Sequence, residues 1–240
     1  MSAPRSSYFT TASYISGSLF EFRHQITQHF NFEKNNKSLQ EENIALRKSS
    51  SVFLYNKLRT EAHVEDSIYA QQYDYIPGTI LNATTTKRNN FFTLNIGEIH
   101  GVKKGMGVFS SNGVVGIIHN TSEHFSVIKS VLTSNINIDV LISEVGVSGM
   151  LKWDGVNDNI GSISGVSNDI TVPKGSTVVT RGGSGIFPRG IPVGRIKHTK
   201  TVEGEASWHI DLSFSQKYAA LENVYVVKNL FLEEFTQIQN

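Results

Sequence analysis

Apolar residues recur along this chain at two different periods. Ile15, Leu19, Phe22, Ile26 and Phe30 stand three to four apart, which places them on one face of a helix. A seven-residue row follows at Phe32, Leu39, Leu46 and Phe53, and Leu54 and Leu58 continue an apolar face. The companion seam holds Phe22, His29, Asn36, Asn43 and Ser50. Apolar side chains at one seam and asparagines at the other predict a weak, self-associating coiled coil, since a core Asn lowers stability while fixing register. Asn36 and Asn43 can hydrogen-bond their own copies across a parallel, in-register pair, and an unpartnered buried amide costs about 1–3 kcal/mol in other registers. The alternative is a single amphipathic helix packed on its own domain. Ser67 to Tyr75, with three tyrosines, is expected to end the helix.

From Thr79 the period changes to two. Twelve short β-branched runs follow, from Thr79–Thr84 and Phe91–Ile96 to Trp208–Ser213 and Val224–Lys228, separated by Gly, Asn and Ser turns. Gly and Pro confirm the change: only Gly17 and Pro4 precede Pro77, whereas 19 Gly and 4 Pro lie from there on, so a long helix fits only the first part. Asn112-Gly113 predicts a type I′ hairpin, which needs positive φ at both positions. About twelve strands exceed one small barrel and fit two. The fold class expected is therefore mainly β: an N-terminal long α-helix forming a coiled coil, then two small β-barrel domains. The expected divisions are a stalk at 1–72, barrels at 73–230 split near 76–145 and 146–230, and a tail at 231–240. The C-terminal strands are available to complete either barrel.

An internal echo supports paired modules. Val102-Lys103-Lys104-Gly105-Met106-Gly107-Val108 and Val172-Pro173-Lys174-Gly175-Ser176-Thr177-Val178 share V-x-K-G-x-x-V. Each is followed by V-G-x-I, at Val115–Ile118 and Val193–Ile196, with a Gly where strand backbones crowd. The spacing between the halves is 13 residues in the first copy and 21 in the second.

Composition narrows the function classes. Twenty-two Lys and Arg against 21 Asp and Glu leave a formal charge of +1, which argues against a nucleic-acid binder. Cys is absent, which removes disulfides, thiolate metal sites and Cys nucleophiles together. No run reaches the roughly 18 apolar residues of a membrane span. Met1-Ser2-Ala3-Pro4 reads as an artificial beginning, and any membrane anchor is expected upstream of Arg5.

Candidate chemistry is sparse. His119 or His124, Asp139 and Ser184 stand in the chain order of a chymotrypsin-like triad, and Gly183-Ser184-Gly185 invites that reading. Gly183 replaces the Asp that precedes such a serine, however, and neither His has the expected apolar context. His24 and His29 are five apart, off the i, i+4 spacing of helical zinc ligands. Gly182–Gly185 lacks the Lys-Ser/Thr of a phosphate loop. Lys87-Arg88, Lys103-Lys104 and the group Lys197, His198 and Lys200 are small dispersed basic clusters. No enzyme activity, cofactor, metal, small-molecule substrate or nucleic acid is expected.

One stretch is distinctive. Thr180-Arg181-Gly182-Gly183-Ser184-Gly185-Ile186-Phe187-Pro188-Arg189-Gly190-Ile191-Pro192-Val193-Gly194 follows the pattern V-x-T-S-G-x-x-x-x-F-P-x-G-x-P-V-G from Val178, with Arg181 at the Ser position. With Phe91–Gly97, Gly101–Val108 and Gly113–Gly116 it resembles the rod-shape-determining MreC family over roughly residues 15 to 230. The resemblance implies an anchored coiled coil and two β-barrels outside the bacterial inner membrane. It also implies a scaffold of cell elongation that organises peptidoglycan synthesis and links MreD, the MreB cytoskeleton and an elongation-type penicillin-binding transpeptidase. The rival of similar build is a membrane-fusion-type periplasmic adaptor, which places a helical hairpin inside a lipoyl-like domain; here one helix precedes all the strands. Read physically, Pro188 and Pro192 fix φ and suit a turn entering an edge strand. Gly182, Gly183, Gly185 and Gly190 permit backbone angles that other residues avoid. The stretch is then a packed turn that shapes the second barrel, with Phe187 in its core, or a partner contact through Phe187 or Ile186.

Overall fold

The computed structural model describes residues 37–47, 72–201, 204–232 and 237. Residues 37–47 are helical, and this helix, α1, carries Leu39, Asn43 and Leu46. Of the expected heptad set, Phe32, Asn36 and Phe53 lie outside the described residues. Leu39 and Leu46, two turns apart on one face, are 54% and 61% exposed. The Asn43 amide donates back to the Leu39 carbonyl at 2.8 Å.

Twelve strands follow: β1 (Tyr73–Ala83), β2 (Asn89–Leu94), β3 (Gly107–Phe109), β4 (Val114–Thr121), β5 (Ser126–Thr133), β6 (Ile138–Ile142), β7 (Val147–Lys152), β8 (Ile160–Ser167), β9 (Thr177–Thr180), β10 (Pro192–Thr201), β11 (Ser207–Phe214) and β12 (Asn223–Asn229). They form two closed six-strand barrels, ordered β1-β12-β3-β4-β5-β2 and β10-β11-β8-β7-β6-β9. Alternation sends Phe92, Leu94, Ile118 and Ile128 into the first core and Val140, Ile142, Ile163, Ile210 and Leu212 into the second.

The internal echo is a structural repeat. From β3 and β9 the rings read β3-β4-β5-β2-β1-β12 and β9-β10-β11-β8-β7-β6. Gly105 and Gly175 turn with φ of 89° and 88°, a left-handed conformation that favours glycine. Their amides donate to the Ile118 and Ile196 carbonyls at 2.9 and 2.8 Å, and those isoleucine amides donate to Met106 and Ser176 at 2.8 and 2.9 Å. Gly116 and Gly194 each lie against a carbonyl of the next strand, that of Lys129 and of Ser213. The second copy is eight residues longer between its halves, and the extra chain lies in the turn between β9 and β10.

Three expectations need correction. The barrel division near 145/146 moves upstream, because β6 pairs with β7 and β9 of the second barrel. β12 occupies in the first ring the place of β6 in the second, so the first barrel is closed by the C-terminal strand. The segment expected to end the helix at Tyr75 is strand from Tyr73, and β1 runs through Pro77. Pro77 is tolerated because β1 joins β2 only from Ile80 onward, so the strand is single-sided there. Finally, Asn112-Gly113 is no type I′ turn, since no described non-glycine residue has positive φ. Ser110 closes a wider turn instead: its Oγ accepts from the Asn112 and Gly113 amides at 3.1 and 3.3 Å.

Candidate functional site: the joint between the barrels

The turn at 181–191 is built on a buried threonine. Thr180 Oγ1 donates to the Pro188 carbonyl at 2.6 Å and accepts from the Ile191 amide at 3.0 Å. The Thr180 backbone pairs with Ile191 and Gly190 at 2.9 and 3.0 Å. Pro188 has no amide to place and Pro192 enters β10, so the prolines leave no orphan donor. Gly182, Gly185 and Gly190 have φ of 87°, 71° and 96°. Arg181 sits 3.4 Å from Asp139 of β6, an exposed pair of small energetic weight. Val193 is buried, and the Val193 carbonyl accepts from Ser215 at 3.0 Å.

The turn closes on the first barrel as well as its own. Phe187 is 3% exposed and rests on β3 at Gly107, where a Cβ would lie 2.6 Å from both the Phe187 ring and the Ile186 carbonyl oxygen. At Gly113 a Cβ would lie 2.6 Å from the Pro192 carbonyl oxygen. Asn229 at the end of β12 donates through Nδ2 to the Gly185 carbonyl at 3.0 Å. The Ser110 hydroxyl donates to Gln216 Oε1. Tyr218 OH donates to the Val114 carbonyl at 3.1 Å, and its ring stands edge-on to Phe214 at 5.5 Å.

The receiving wall is unusual for a barrel. Val224, Tyr225, Val226 and Val227 of β12 are all 5% exposed or less. Alternation gives one side of that strand to the barrel core, so its outer side is covered too. Phe109 makes an edge contact with Tyr75 and a tilted one with Tyr225, both at 5.4 Å between ring centres. Phe187 is thus a knob in an interdomain joint, with Gly107 as its notch, and not merely a plug for the second core.

The structure gathers Gly182, Gly185, Phe187, Pro188, Gly190, Pro192, Val193 and Gly194 of the distinctive stretch in this turn and the start of β10. Gly107, Gly113, Gln216, Tyr218 and Asn229 join them from outside that stretch. A glycine inside a strand signals close backbone approach, and that signal was available at Gly107. The triad candidates are not assembled. His119 lies tilted against Phe91 of the first barrel at 5.6 Å between ring centres, Asp139 faces Arg181, and Ser184 Oγ accepts from the Ile186 amide at 3.4 Å.

Burial pushes the Tyr218 phenol far above the usual tyrosine range. Tyr73 rises to about 12 through burial and then through its neighbour Tyr75. A raised tyrosine pKa means that the unfolded chain loses its proton first, so stability is intact below about pH 10 and falls as pH rises beyond it. The urea midpoint is expected to drop between pH 8 and pH 11. Tyr218→Phe is expected to lose about 1 kcal/mol at pH 8 with its hydrogen bond, and then to fall less steeply with pH. Parallel pH profiles for the two proteins would contradict the assignment.

The family model described as "Rod shape-determining protein MreC, barrel core" matches residues 80–228. Among curated relatives, the cell shape-determining protein MreC of Listeria monocytogenes is 24% identical over 147 residues, 60% of this chain and 49% of that protein. The Haemophilus influenzae MreC is 26% identical over 199 residues, covering 80% and 54%. The chain thus spans about half the length of these relatives. Among solved structures, MreC of Listeria monocytogenes superposes with a TM-score of 0.64 at 21% identity, covering 84% of this chain and 95% of that one. MreC in a complex with the penicillin-binding protein PBP2 from Helicobacter pylori superposes at 0.53 with 18% identity, covering 66% and 99%.

Proposed function

Because the chain belongs to the MreC family of rod shape-determining proteins, we propose that it is a non-enzymatic scaffold of cell elongation that organises peptidoglycan synthesis and maintains rod shape. The observation that carries this reading is the joint, which presents two barrels as one body, as a scaffold requires. The chain works on the extracytoplasmic face of the inner membrane, held by an anchor upstream of these residues. The Helicobacter pylori complex supports a penicillin-binding transpeptidase as one partner. MreD and the MreB cytoskeleton are the others.

The stalk supplies self-association. Phe32, Leu39, Leu46 and Phe53 form the seam of a parallel homodimer, and Asn36 and Asn43 set its register. Support comes from the exposure of Leu39 and Leu46 on a single copy of α1. Asn43 exchanges its local bond to Leu39 for its counterpart in the second copy. Replacing Leu39 and Leu46 together by Asp puts unpaired charges into the seam, which is costly. The double variant is expected to sediment as a monomer with the thermal transition of its barrels unchanged. A dimer that persists in sedimentation equilibrium would move association to the barrels.

A further inference from the structure

Closing a sheet into a barrel uses up its edges, so the strand segments that outrun their neighbours are the places left for pairing. β10 carries a proline-free overhang. It meets β9 only from Pro192 to Arg195, and the last bonds on that side are those of Ile196 to Gly175 and Ser176. Residues 197–201 continue against β11 alone, paired from His198↔Asp211 to Thr201↔Trp208. The single-sided stretch of β1 carries Pro77 and cannot offer a continuous row of donors. The β10 overhang, Lys197-His198-Thr199-Lys200-Thr201, has no proline.

Its side chains define what would fit. Beyond the bulge near Lys197, His198 and Lys200 share the outer face with His209 and Asp211, while Thr199 and Thr201 share the other with Ile210 and Trp208. Arg195, Lys197, His198 and Lys200 are exposed. The carboxylate on the outer face, Asp211, lies 3.4 Å from Lys200 and 3.2 Å from His209. Glu205 stands beyond the far end of the overhang. Lysines on a free edge repel lysine-bearing or like strands, and the same charges favour a strand whose outward side chains are acidic.

We propose that the free edge of β10 binds an extended acidic segment of a partner protein by strand addition. Carboxylates at alternate positions face Lys197, His198 and Lys200, and β-branched residues between them lie beside Thr199 and Thr201. The backbone supplies the hydrogen bonds and the cations choose the sequence.

The test uses the full chain and a fluorescent seven-residue peptide that alternates glutamate and valine. Binding by anisotropy, with amide shifts confined to residues 196–201, is the expected result. Lys197→Glu with Lys200→Glu is expected to weaken that binding about tenfold and to let a lysine–valine peptide bind instead. Methylating the peptide's edge-facing backbone nitrogens is expected to abolish binding without changing its charge. No binding at millimolar peptide, shifts on another face, or equal binding of the methylated peptide would each overturn the proposal.

Discussion

Phe187→Ala is expected to cost about 3–5 kcal/mol, the range for truncating a buried aromatic ring. The floor beneath that ring is the backbone of β3 at Gly107, where no side chain can swing in to fill the void. A plug serving only the second barrel would leave the first indifferent, and the notch distinguishes the two cases. Gly107→Ala places a methyl 2.6 Å from the ring and the Ile186 carbonyl, so it is also expected to destabilise, by about 1–3 kcal/mol. Combined with Phe187→Ala, that methyl is relieved of the ring and keeps only its clash with the Ile186 carbonyl oxygen. The double variant is therefore expected to be more stable than the sum of the single losses implies. Urea unfolding of all four proteins measures the coupling, and strict additivity would place Phe187 outside the joint.

Gly194→Ala is expected to be the most damaging of the small substitutions in the second barrel, at about 3 kcal/mol. A Cβ there runs into the Ser213 carbonyl oxygen and the Leu212 side chain, and the Ser213 backbone belongs to the paired strand β11. Gly116→Ala is expected to behave alike, because the repeat puts the Lys129 carbonyl in the same place. Gly175 is the contrast. It has φ of 88°, but a methyl at that position would meet nothing within 4 Å, so Gly175→Ala is expected to cost only about 1–2 kcal/mol from backbone conformation. Thermal or urea midpoints rank the three, and a Gly175→Ala loss equal to that of Gly194→Ala would show that crowding is not the cause.

The strands were legible because each is a local pattern: β-branched residues at period two between Gly, Asn and Ser. Their pairing was not. Nothing near Ile138–Ile142 says that it joins β9, some forty residues on, and nothing near Val224 says that it closes a barrel begun at Tyr73. Pro77 sits within a strand for a related reason, since the rule that bars proline from sheets applies to strands paired on both sides. At Asn112-Gly113 the local signal was overridden by one side chain, the hydroxyl of Ser110. The turn itself announced its burial through Phe187, Pro188 and Pro192. Its notch lies eighty positions upstream at Gly107, and only the assembled rings bring the two together. The unequal spacing of the echo was a further sequence mark of that turn, because the eight additional residues are those that leave the repeat to make the joint.

The absence of native cysteine allows the joint to be measured directly. Spin labels at Asn120→Cys on β4 and Lys152→Cys on β7, both exposed strand positions, report the separation of the barrels by pulsed electron resonance. One narrow distance distribution is expected in the otherwise unaltered chain. Adding Phe187→Ala and Asn229→Ala is expected to broaden it while circular dichroism shows both barrels still folded. A broad distribution before those changes, or a narrow one that survives them, would contradict a rigid two-barrel body held by the 181–191 turn.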